Sequence, residues 1–439
     1  MSRNVLRLAL LMCAAAFGVA SLAAAAPLGS VTEFNAGLNP GAVPFRIASG
    51  ADGNLWFTDQ GTTKAIGKVT TGGAFTEYAL PPGSFPRQIR VGSDGNIWFT
   101  DTLLPSIGRI TSSGSITEYP LPSGSFPNAL AIGGDGNLWF TDRGTHPRIG
   151  TITLTGVVAF FDAGLNPGSL PNGIAPDDHG NLWFTDQGTT KAIGRVTMDG
   201  TITEFSDGLN AGSLPAALSP SPGPDMWFTD QGTTRAIGRI TKDGTITEYG
   251  TADGLNPGSN PQEITPGADG NLWFTDRGTT KAVGRIEVGT TVTITEFAGG
   301  NLPANTNPGG VRTGPDANLW FIDNRTPQSI AQYGIGAPAA SAQPPRIHGK
   351  AEQGGKVHCD KGKWSRWAGD EPSRRAFRFD GIQWNLDGTA LPGQTRKHYR
   401  PTAADVGHAL TCTETVTYTL FPTTVSATSA AVTVSAHDH

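Results

Sequence analysis

Residues Pro171–Phe205 read PNGIAPDDHG, NLWFTDQGTTK, AIGRVTMDG and TITEF in succession. Each run pairs or alternates apolar residues, and His-Gly or Asp-Gly stands at the turns, as in short antiparallel strands joined tightly. Four strands of this length form one blade-like unit, which cannot bury both of its faces alone. Neighbours must therefore stack against it.

Such neighbours are present. The Trp-Phe pair recurs at Trp56, Trp98, Trp139, Trp183, Trp227, Trp273 and Trp320. A repeat of 40–50 residues in this pattern predicts an all-β fold, a seven-bladed β-propeller with the aromatic pairs as the packing layer between blades. The Thr-Glu-aromatic strand also occurs seven times, counting the degenerate Val158–Phe161, but it is shifted in phase. It begins at Val31–Phe34, and no copy follows Trp320. The first copy is expected to complete the last blade, Val311–Tyr333, so that no sheet edge stays open.

The composition agrees with this reading. Of 439 residues, 59 are Gly and 32 Pro, too many for a helical bundle, and a formal charge of −5 leaves no general basic footprint for nucleic acid. Residues 1–26 carry Arg3 and Arg7, an apolar run Leu8–Leu22 and then small residues, the layout of a cleaved secretory signal peptide. The expected product is secreted, extracellular or at the cell surface, with no transmembrane segment after cleavage. The propeller is assigned to 27–335, a linker rich in Ala, Pro, Ser and Gln to 336–345, and a second module to 346–439. Lys and Arg outnumber acids 12 to 9 in that module, against 18 to 28 in 27–345. Cys359 and Cys412 bracket Trp384, the order that suits two sheets stapled over an aromatic core. Two thiols in an exported chain imply a disulfide between them. The module resembles the immunoglobulin-like domains appended to exported bacterial proteins, through Gly354–Cys359, Gly362–Trp364, Trp384–Gly388 and Asp405–Cys412. That likeness implies presentation or adhesion by a small β-sandwich.

The repeat itself, most fully written at Gly92–Tyr119, resembles the streptogramin lyase (virginiamycin B lyase) family over Val31–Tyr333. The resemblance implies elimination chemistry that opens cyclic depsipeptide antibiotics, with a base to take a Cα proton and Mg to stabilise the enolate. It places the base, a His, just after the Pro that opens the innermost strand of the last blade, with a Glu two positions earlier. Here Gly309 holds the base slot, Asn307 the metal-ligand slot, and Gln262 the place of a second, substrate-contacting His. No catalytic residue, resident metal or cofactor is therefore assigned; Mg belongs only to the lyase alternative. The other slots of the ring are Phe45, Arg87, Asn128, Asn172 and Ala216, and Glu263 and Asp323 are the nearby acids. Phe45, Arg87, Asn128, Asn172, Gln262, Glu263, Asn307 and Asp323 are the candidate ligand contacts at the central mouth. A monomer that binds a small molecule, a peptide or a polysaccharide is the expected function.

Three further patterns read as turn chemistry. The Asp after each Trp-Phe-Thr is expected to accept hydrogen bonds from its own turn. Charges in the Thr-Thr-Lys/Arg runs should offset that Asp, and the Gly-Leu-Asn-Pro-Gly segments link blades.

Overall fold

A computed structural model describes residues 26–221, 223–289, 291–298, 302–303, 305–335, 341–364, 377–418 and 424–437. The segment read as a signal peptide, with Cys13, lies outside them, apart from Ala26. Regular structure is almost entirely strand, and no helix among the described residues is long and apolar enough to cross a membrane.

The repeat at Pro171–Phe205 forms one antiparallel sheet of four strands, Pro171–Pro176, Leu182–Asp186, Ala192–Val196 and Ile202–Phe205. Trp183 stands opposite Arg195, and Phe184 opposite Gly194. The glycine is required there, because a Cβ at Gly194 would lie 2.0 Å from the Phe184 ring. The Ile-Gly-Arg motif is thus the seat of the neighbouring strand's phenylalanine.

Among the described residues seven such four-stranded sheets are present, and their innermost strands touch in succession, with Pro308–Thr313 meeting Pro44–Ser49 to close the ring. The Trp face of each sheet packs on the Phe face of the next: Trp56 shares a core with Phe99, Trp183 with Phe228, and Trp320 with Phe57 across the closure. All seven tryptophans are fully buried. Each stacks on the aromatic of the outermost strand in its own sheet, including Trp139 on Phe161 of the degenerate copy, at 5.3 Å. The strand Val31–Phe34 pairs with Ser329–Tyr333 and supplies the fourth strand of the last sheet, as its phase predicted.

Beyond Ile335 the chain enters a β-rich module. Cys359, on the strand Val357–Asp360, is bonded to Cys412, on the strand Ala409–Tyr418 of a second sheet. Both pack with buried Trp384, whose ring stacks on Tyr399 at 5.6 Å. Inside the segment assigned as a linker, Ser341–Gln343 is a strand paired with Lys363–Trp364.

Candidate functional site

Each innermost strand starts with a proline and loses register between that proline and the third residue after it, as between Pro86 and Ile89 or Pro261 and Ile264. The bulge turns the two residues after the proline toward the ring axis. At one end of the axis they line a cavity of about 270 Å³. Phe45, Arg87, Asn128, Asn172, Gln262 and Glu263 all face it.

Asn307 and Asp323 are not among its lining residues. Asp323 is fully buried behind the strand, accepting from Asn307 N at 2.8 Å and Arg325 N at 3.1 Å and pairing with Arg325 Nε at 3.1 Å. Its counterparts do the same: Asp186 Oδ1 accepts from Leu170 N and Gly188 N. The aspartates tie a turn to the start of the innermost strand, which is why they recur once per sheet. The lysines of the Thr-Thr-Lys runs donate to carbonyls of the same turn, Lys64 to those of Gln60 and Gly61, both at 2.6 Å, while the Lys281 charge still favours the ionised form of Asp276.

Five guanidinium groups, those of Arg46, Arg87, Arg90, Arg277 and Arg312, line the mouth with a single carboxylate, Glu263. Sequence reading found only Arg87 and Glu263. Arg46, Arg90 and Arg312 were legible as charges at the second or fourth residue after the proline of strands expected to be inward-facing, where an unpaired charge is costly, whereas Arg277 lies in a turn. Glu263 pairs with Arg46 Nε at 3.0 Å and Arg312 Nη1 at 3.2 Å. Burial opposes its charge, but Arg46, then Arg312 and Arg90, outweigh burial and hold the carboxyl below the usual range. Arg277 donates to the carbonyl of Pro308 at 2.9 Å. Arg143 donates to Asn172 Oδ1 at 2.8 Å, fixing that amide at the rim.

Gly309, the residue read from the resemblance as the base slot, sits in crowded surroundings. A Cβ built on it would meet Arg277 Nη2 and Asn324 Nδ2, each at 2.6 Å, so the space beside it is filled by neighbouring polar groups. The donor set does not fit Mg, which takes carboxylates and waters in a near-octahedral shell. The one carboxylate at the mouth is held between two guanidiniums, and three further positive groups face the same space. Among the described residues no three His, Cys, Asp or Glu side chains come together.

The sequence pattern of the virginiamycin B lyase family matches residues 14–252 and 193–332. The chain belongs to this family. A solved streptogramin B lyase is 31% identical over 70% of this chain and 97% of its own, with a TM-score of 0.61. A catalytically inactive His-to-Ala variant of virginiamycin B lyase from Staphylococcus aureus, solved with quinupristin, is 32% identical over 69% of this chain and 98% of its own, also at 0.61. No match is found among curated proteins. The fold of the virginiamycin B lyase family is retained here.

Proposed function

We propose that the chain is an exported ligand-binding protein, a seven-bladed propeller with an arginine-rich mouth carried beside an immunoglobulin-like sandwich that presents or tethers it outside the cell. The observation that carries this reading is the base slot. Glycine offers no proton acceptor, and Arg277 and Asn324 crowd the space above Gly309. Arginine stays protonated in proteins and cannot take a Cα proton in its place.

Family membership favours the lyase alternative, so the deciding experiment offers the mature protein a type B streptogramin with Mg and follows ring opening by mass spectrometry. No opening above a protein-free control is the expected result, and turnover would overturn the proposal. The double substitution Gly309→His with Asn307→Glu is expected to remain inert as well, because the new imidazole would compete with Arg277 for the same volume. Activity in that variant would mean that the two slots alone account for the loss.

A further inference from the structure

The ring as a whole is acidic, with 28 Asp and Glu against 18 Lys and Arg in residues 27–345. Its mouth reverses that balance, holding five of the arginines and one of the acids. Such segregation is not a by-product of the repeat. The charged residues stand at different positions in different sheets: Arg87 follows its proline directly, Arg46 is second, Arg90 and Arg312 are fourth, and Arg277 comes from a turn.

Internal pairing does not exhaust this charge. Glu263 is divided between Arg46 and Arg312, and Arg277 is engaged by a carbonyl. The Arg87 guanidinium lies over the rings of Phe45 and Phe126, at 5.6 and 5.9 Å. Among the described residues it gives no hydrogen bond and forms no ion pair, so its N–H donors remain available to the cavity. The two aromatic rings hold the plane of the fork without using its donors. Burial, and then the charges of Arg46 and Arg143, push Arg87 down to about 10, the expected response of a guanidinium lacking a counter-charge. A bound anion would remove that penalty.

We infer that the mouth is an oxyanion site, in which Arg87 contacts a carboxylate or phosphate of a small ligand and Arg46, Arg90 and Arg277 supply the surrounding field. This rests on the ligand-binding reading and narrows it: neutral sugars and cationic peptides are excluded as the primary occupant. The chemistry is that of a fork donor matching two oxygens, shared by carboxylate and phosphate. Deeper in the channel, past Arg90 and Arg312, the walls turn apolar with Ala48, Val91, Ile132 and Pro220. The anionic group therefore seats at the mouth.

The test is isothermal titration of the mature full-length protein with sodium citrate in one arm and inorganic phosphate in the other, at constant ionic strength set with chloride. Saturable 1:1 binding of either probe is expected, citrate alone assigning carboxylate and phosphate alone assigning phosphate. Arg87→Gln should weaken it at least about tenfold, Arg87→Lys should fall between, and Lys242→Gln, at an exposed position paired with Asp243, should match the parent. Raising ionic strength should weaken binding to the parent more than to Arg87→Gln. Titrations of both probes that stay flat to about 10 mM overturn the inference, as does unchanged affinity in a folded Arg87→Gln protein. If Arg87→Gln does not fold, equal affinity of the parent and Arg87→Lys overturns it. Streptogramin ring opening would overturn the ligand-binding reading beneath it, whereas flat titrations overturn the oxyanion assignment alone.

Discussion

The joint that closes the ring is built differently from the six that follow the chain. At each of the six a buried threonine on the second strand accepts from a main-chain N–H of its own innermost strand and donates to a carbonyl of the next. Thr185 takes Gly173 N at 2.8 Å and gives to Ala216 O at 2.7 Å, and Thr58, Thr100, Thr141, Thr229 and Thr275 repeat the arrangement. At the closure the position is Ile322, which can do neither. There Ser49 donates to Thr313 O at 2.6 Å, and the strand Val31–Phe34 is laid on from the other end of the chain with Phe34 stacked on Trp320 at 5.3 Å. Where covalent continuity brings sheets together a hydroxyl suffices to set their spacing. Where it does not, a whole strand supplies the cohesion.

The largest effect should come from removing that strand. A mature protein beginning at Asn35 exposes the edge of Ser329–Tyr333 and loses the aromatic stack. The expected loss is on the order of 5 kcal/mol, read as a melting temperature lowered by more than about 10 °C in calorimetry. A truncated protein that melts like the parent would mean that the closing joint is held by the innermost strands alone.

The threonines allow a sharper contrast. Thr185→Val keeps the shape but orphans a buried N–H and a buried carbonyl, at a cost of about 1–3 kcal/mol. Ile322→Thr exchanges apolar burial for the missing latch and should lie within about 1 kcal/mol of the parent, because the lost transfer energy and the gained hydrogen bonds oppose each other. Denaturant unfolding of both variants checks the pair, and equal destabilisation would remove the distinction between the two kinds of joint.

The same two regions differ in charge. In most sheets the Glu of the Thr-Glu-aromatic strand meets the Asp of Trp-Phe-Thr-Asp with no cation between them. Burial and the neighbouring Asp230 push Glu248 up to about 8; burial and Asp186 push Glu204 up to about 7, as burial and Asp59 do for Glu77. The glutamate also fastens the Gly-Leu-Asn-Pro-Gly loop, as where Asn39 N and Nδ2 both donate to Glu77 at 2.8 Å. In the closing sheet Arg325 stands where most of the other sheets have glycine, bridging Glu33 and Asp323. These glutamates are raised in the folded state, so their contribution is complete below about pH 4.5 and is lost as pH climbs through 7 to 8. The melting temperature is expected to be higher at pH 5.5 than at pH 8.5, by several degrees, and Glu248→Gln should flatten the slope. A melting temperature that rises across this interval would contradict the raised glutamates.

Much of this architecture was legible in the sequence because the devices repeat: the tryptophan period, the phase of Val31–Phe34 and the Cys359–Cys412 pair each follow from position alone. The mouth was legible only in part. The slot after each proline led to Arg87, Asn128 and Asn172, but Arg46, Arg90 and Arg312 reach the axis from different strand positions and Arg277 from a turn, and a repeat-by-repeat comparison averages such residues away. Asn307 and Asp323 misled for the converse reason. Asp323 sits at a strand end like a ligand, yet its oxygens are consumed by Asn307 N and Arg325. The role of the repeated glutamate was missed because its partner loop lies 38 residues away.

The smallest expected effect concerns the one sheet whose turn departs from the others. Trp56 Nε1 donates to Asp52 at 3.1 Å, and Trp98, Trp139, Trp183, Trp273 and Trp320 each find an aspartate in the same turn. Four residues before Trp227 stands Gly223, and Trp227 Nε1 is buried without an acceptor. The Gly223 main chain is not left-handed, and a Cβ there meets nothing closer than Ser221 Oγ at 3.7 Å. Gly223→Asp should therefore supply the missing acceptor and stabilise the ring by about 1 kcal/mol, a rise of roughly 2–4 °C by calorimetry. The indole orphaned in that sheet tests whether cohesion is set locally: if satisfying it leaves the melting temperature unchanged while the truncation at Asn35 lowers it, the ring opens first at its closure and the fifth sheet unfolds only afterwards.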